Sequence, residues 1–66
     1  MAYKFALVSP EGEVFDTFET SEGNWKTGDV VIDGSLRWRV VSVIPEELAA
    51  EFVDDAVYGV LEVEPL

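Results

Sequence analysis

Two runs rich in β-branched residues, Val30-Val31-Ile32 and Leu36 to Ile44, stand either side of Asp33-Gly34. This arrangement constrains the fold more than any other feature of the chain. Asp-Gly between such runs is a strong local hairpin signal, because a two-residue loop needs the positive φ that aspartate tolerates and glycine adopts freely. A loop at Asp33-Gly34 pairs Ile32 with Ser35 and Val31 with Leu36. Val31, Leu36, Trp38, Val40 and Ile44 then share one face, and Arg37, Arg39, Val41 and Val43 the other. A three-residue loop would align Ile32 with Leu36 and Val30 with Trp38, exchanging the faces of one strand. Turn chemistry favours the first register.

The flanking segments are read the same way. Tyr3 to Val8 is rich in β-favouring residues and stops at Ser9-Pro10-Glu11-Gly12, a tight-turn sequence. A second strand, Glu13 to Thr20, sets Val14, Asp16, Phe18 and Thr20 on one face, with Val14 and Phe18 expected inside and Phe15 partly covered. Ser21 to Gly28 is a polar connection whose one large apolar member is Trp25. Pro45-Glu46-Glu47 opens a short helix, with proline early and acids at the positive end of the helix dipole. Leu48 with Phe52, and Ala49 with Val53, each share a helix side, and Asp54-Asp55 ends the helix. Val57 to Val63 is the last strand, in which Gly59 marks a bulge or close packing. There is no internal repeat or linker, so residues 1–66 are expected to form a single small β-barrel domain.

What holds such a domain together follows from what it lacks. A chain of 66 residues with no cysteine and no histidine has no disulfide, no thiolate metal site and no imidazole ligand. Domains this small bury only about 60% of their unfolded surface. Eight aromatic residues supply the core, so stability is expected from packing alone. Fourteen acidic residues against four basic ones give a formal net charge of −10. That charge repels polyanions, so nucleic acid and anionic membrane surfaces are not expected partners. No apolar run approaches the roughly 20 residues that span a bilayer, and the run Phe5 to Val8 is too short for a secretory leader. A cytoplasmic location is the expectation.

The expected architecture is mostly β: a five-stranded, partly closed barrel with one short helix before the last strand. Closure disposes of exposed edges, which a small β protein otherwise has to guard. The stretch Trp25 to Ile44, with Gly28-Asp29-Val30-Val31, the Asp33-Gly34 turn and Arg39-Val40-Val41, resembles the central hairpin of Src-homology-3-like small barrels. The resemblance covers less than a third of the chain and implies a fold only. The acidic-aromatic peptide-binding signature of the signalling members is not visible, and the basic surface of the ribosomal and transcription-factor relatives is replaced by acid.

Without histidine or cysteine the usual general base and thiol nucleophile are missing, leaving carboxylate pairs such as Asp54 with Asp55, or Glu62 with Glu64. In so acidic a chain such pairs arise as solvated surface. A folded domain this small is also expected to have little room for a ligand pocket of the usual ~300 Å³ or more. The chain is therefore read as a non-enzyme with no cofactor. Glu46, Glu47, Glu51, Asp54 and Asp55 cluster, yet they lack the spacing of a calcium loop, so no metal is expected. Arg37 and Arg39 emerge on one strand face, either as an anchor for an acidic partner or as cross-strand partners of Glu62 and Glu64. Trp25, beside Asn24 and Lys26, is either a contact residue or a lid on one end of the barrel.

The leading expectation is a protein-interaction module contacting another protein through Trp25, Asn24, Lys26, Arg37, Arg39, Glu47 and Glu51. The alternative is an acidic nucleic-acid mimic that occupies a basic protein surface. Either would be a monomer or a weak homodimer paired through a strand edge.

Overall fold

A computed structural model describes residues 2–54 and 56–66. Five strands and one helical turn follow in the order β1 (Tyr3–Val8), β2 (Val14–Thr20), β3 (Val30–Asp33), β4 (Leu36–Pro45), α1 (Glu46–Ala49) and β5 (Gly59–Pro65). Strands hold 52% of the residues, and the sheet curls through 213° into a half-barrel. The mostly β, partly closed architecture with a short helix before the last strand is therefore the one the sequence led us to expect. The strand order is β2-β1-β5-β4-β3. Strands β1 and β5 run parallel, and the other neighbours are antiparallel. The order is that of a five-strand ring opened between β2 and β3.

The two central strands explain the core. Phe5, Ala6, Leu7 and Val8 are all buried, which requires cover on both faces of β1. Phe5 and Leu7 join Val31, Val40, Leu61 and Val63 on the concave side, with Tyr3, Phe18, Trp25 and Trp38 packed against them. Ala6 and Val8 join Val60, Ala49 and Val57 on the convex side, with Val14, Ile44 and Val53 alongside. Helix α1 and the segment after it cover that second cluster.

The hairpin register differs from the expected one. Asp33 pairs with Leu36, Ile32 with Arg37, Val31 with Trp38 and Val30 with Arg39, so the loop is Gly34-Ser35. Gly34 has φ 66°, and among the described residues no non-glycine has positive φ. That sign pattern suits a type II′ turn with glycine first, whereas a loop at Asp33-Gly34 in the type I′ form would force aspartate into the left-handed region. The shift is by two residues in pairing, so Val31, Trp38 and Val40 keep their face. Leu36, expected inside, is 57% exposed near the hairpin tip.

Two bulges move other expected faces. On β4, Val40 pairs with Val63 and Ser42 with Glu62, leaving Val41 as the extra residue. Beyond it the alternation reverses, so Ile44 lies on the convex side and not beside Val40. On β2, Val14 pairs with Val8 and Asp16 with Leu7, leaving Phe15 unmatched. Val14 consequently packs in the convex cluster, opposite to Phe18.

The helix is one turn, shorter than its apolar spacing suggested. Its N-cap, Pro45, offers no side-chain cap, and there is no basic residue in its last turn; a single turn is not self-sustaining without packing. Phe52 N–H donates to the Ala49 carbonyl at 2.9 Å and Val53 N–H to the same oxygen at 3.0 Å. Ala49 and Val53 face the sheet, while Leu48 and Phe52 are exposed. Asp55, expected to help end the helix, lies outside the described residues. The last strand begins two residues later than expected. Val57 is still buried, and Tyr58 N–H donates to the Lys4 carbonyl at 2.7 Å.

Candidate functional site

The convex face has two halves. One is the apolar cluster under α1. The other, toward the hairpin tip, carries Glu62 and Glu64 on β5, Arg39 and Arg37 on β4, and Val30 and Ile32 on β3. The alternation along each strand puts these residues on one side, opposite Val63, Trp38 and Val31.

Arg39 reaches across to β5: its Nη2 lies 2.9 Å and its Nε 3.3 Å from Glu64 Oε2. This is the cross-strand pairing that the sequence left open for the arginines. Arg37 has no such partner among the described residues. Its neighbour on the β5 side is Leu66, whose N–H donates to the Arg37 carbonyl at 3.3 Å. An arginine with no acid partner among the described residues is notable where acids outnumber bases by fourteen to four.

Beside the arginines, Ile32 is 69% and Val30 44% exposed. Both sit on an edge strand. The Val40 N–H donates to the Asp29 carbonyl at 2.8 Å, and bonded and non-bonded pairs alternate along an antiparallel ladder. Val30 and Ile32 therefore fall in non-bonded pairs with Arg39 and Arg37, and their own N–H and C=O groups point away from β4 toward the open edge. The other free edge, β2, is acidic, carrying Asp16 and Glu19 with Glu13 at its start. The β2 edge thus carries acids, while the β3 edge exposes the β-branched Val30 and Ile32.

The remaining candidates lie elsewhere. Trp25 is half-buried against the concave core, edge-on to Phe18 with centroids 5.9 Å apart, and its indole N–H donates to the Glu22 carbonyl at 2.9 Å. Asn24 and Lys26 beside it are exposed. Lys26 opens the turn into β3: its N–H donates to Asp29 Oδ2 at 3.0 Å, and Asp29 N–H donates to its carbonyl at 3.1 Å. Gly28, at φ 97°, takes the third position, which only glycine fills comfortably. Glu47 and Glu51 are exposed on and just after α1, at the far end of β4 from Arg37. The structure thus brings Arg37 and Arg39 together with Val30 and Ile32, and leaves the Trp25 loop and the acidic helix as separate places. Val30 and Ile32 were not among the contacts expected from the sequence. Their signal was present in the alternation, since they share a face with the arginines and oppose Val31.

The surface also has hollows larger than the chain's size suggested. One of about 450 Å³ lies between β1 and α1, where Tyr3, Lys4, Glu46, Ala49 and Tyr58 line it. A second of about 450 Å³ lies beside Leu36, Trp38, Pro65 and Leu66. Among the described lining residues the first holds a single carboxylate side chain, Glu46, and the second none. Among the described residues no three acids stand together as metal ligands; Asp55 of the expected acidic cluster lies outside them. No helix among them is long and apolar enough to cross a membrane. Compared with protein-family models, curated proteins and solved structures, the chain matches none.

Proposed function

We propose that the chain is a non-enzymatic protein-interaction module whose contact surface is the convex face and free edge of the β3–β4 hairpin. The observation that carries this reading is Ile32. It is a β-branched residue 69% exposed on an edge strand, paired across the strand with an arginine that has no acid partner among the described residues. Apolar surface of this kind, rimmed by charge, is what protein interfaces are built on. The half-barrel is also read as a Src-homology-3-like small barrel. Five strands in ring order and the Gly28-Asp29 turn into the central hairpin support that kinship, which concerns shape alone.

The test is affinity capture from the source organism's lysate, with wild type and Ile32→Lys compared at low and high salt. A protein retained by wild type at both salts and lost by Ile32→Lys is the expected result. A capture set unchanged by Ile32→Lys overturns the reading. The acidic edge of β2 favours a second reading, in which the chain mimics a polyanion and occupies a basic protein surface. Capture that collapses with salt and ignores Ile32 would select it.

A further inference from the structure

We infer that the partner segment adds to the edge of β3 as a sixth strand, and that it is an extended stretch of β-branched residues flanked by acids. This deepens the interaction reading above and rests on it.

Three observations combine. First, the edge is chemically open: Val30 and Ile32 turn their backbone N–H and C=O groups outward, and among the described residues no hydrogen bond reaches those groups. An extended peptide satisfies them as a neighbouring strand does. Second, Val30 and Ile32 present β-branched side chains on the convex face, so the added strand gains apolar contact through every second residue. Third, Arg37 lies directly behind Ile32 on β4 and has no acid partner among the described residues, whereas Arg39 is turned to Glu64 on β5. A long guanidinium side chain that no acid holds reaches over a single strand to a carboxylate on the next one. The acids are few, because the chain's net charge of −10 repels a strongly acidic ligand.

A second copy of the chain fits this edge poorly. Antiparallel pairing of two β3 strands with Val30 opposite Ile32 would use all the outward groups. It leaves both copies of Arg37 without an acid.

The probe is the blocked peptide acetyl-Glu-Thr-Val-Thr-Val-Thr-Glu-amide, whose glutamates and valines share one face in either strand direction. Titration into the full chain is followed by amide shifts and hydrogen exchange. The expected result is a saturable shift centred on residues 30–33, with Val30 and Ile32 amide exchange slowed by about tenfold or more at saturation. Arg37→Gln is expected to weaken binding by up to about fivefold, the range of an exposed ion pair. Ile32→Lys, or N-methylation of both valines, is expected to abolish binding.

Saturable binding without protection of the Val30 and Ile32 amides overturns strand addition. Equal binding by the same peptide with lysine in place of both glutamates overturns the acidic class. No saturable shift at millimolar peptide overturns the inference as a whole, while Ile32-dependent capture from lysate would leave the interaction reading standing. Shifts confined to the Trp25 loop or α1 overturn both.

Discussion

Phe15 and Trp38 meet across the open side of the half-barrel, with ring centroids 4.9 Å apart and planes inclined at 43°. Among the described residues no strand pairing joins β2 to β3, so side chains hold that seam. The bulge at Phe15 makes the contact feasible: the extra residue breaks the alternation and turns the ring toward the concave side, where Trp38 lies against the core. Phe18 and Trp25 make a second contact from β2 to the connection that leads into β3.

Phe15→Ala is therefore expected to destabilise the fold although Phe15 is 43% exposed. Half of its ring area and the aromatic pairing together correspond to about 1–2 kcal/mol. Urea unfolding measures this. Val41, another exposed bulge residue, is the control, and its alanine variant should lose clearly less. Equal losses would show that Phe15 has no role in the seam.

Trp38 carries a buried indole Nε1 with no hydrogen-bond partner among the described residues. Leaving such a donor buried costs about 1–3 kcal/mol, so its removal offsets part of the area lost on substitution. Trp38→Phe is expected to change stability by no more than about 1 kcal/mol, with the ring contact to Phe15 kept. A loss above about 3 kcal/mol, the range of a full core truncation, would mean that the indole is better satisfied than the geometry shows.

The same variant isolates Trp25. In the Trp38→Phe background, Trp25 is expected to emit to the blue of free indole and to be partly shielded from acrylamide, because it packs on Phe18 and donates to Glu22. Trp25→Phe keeps the packing and loses a hydrogen bond of about 1 kcal/mol. Emission at the position of free indole would place Trp25 in solvent and favour it as a contact residue.

The hairpin, the Pro10 turn and the helix start were legible because each is local: turn residues and strand propensity act over a few positions. The two bulges were not. A bulge is decided by which neighbours a strand must serve, and nothing near Phe15 or Val41 announces that β2 and β4 have to change faces partway along. The hairpin register was missed by one loop position because Asp-Gly and Gly-Ser both close two-residue loops, and only the φ of Gly34 separates them. The same limit hid the candidate surface. Val30 and Ile32 read as ordinary strand residues until the strand order placed them on an edge with Arg37 and Arg39 behind.

Arg39 and Glu64 are 52% and 35% exposed, which limits what their pairing contributes. A double-mutant cycle with Arg39→Ala and Glu64→Ala is expected to give a coupling energy under about 1 kcal/mol, falling as salt is raised. Coupling well above that would mark the pair as structural and remove Arg39 from the candidate surface.

Gly59 is where sheet geometry is least forgiving. It faces Phe5 on the parallel side and Pro45 on the antiparallel side. A methyl group there would stand 3.2 Å from the Ile44 carbonyl oxygen and 3.2 Å from the Phe5 ring. The ring can rotate, but the carbonyl belongs to the β4 backbone and moves only if that strand does. Gly59→Ala is thus expected to cost about 1–3 kcal/mol in urea unfolding. Shortening the ring should recover little of it: Gly59→Ala in a Phe5→Leu background should show nearly the same loss as in wild type. Full recovery in that background would place the conflict at the ring alone. The strain should also be local, raising amide exchange in β5 and the end of β4 before it reaches the β3 edge.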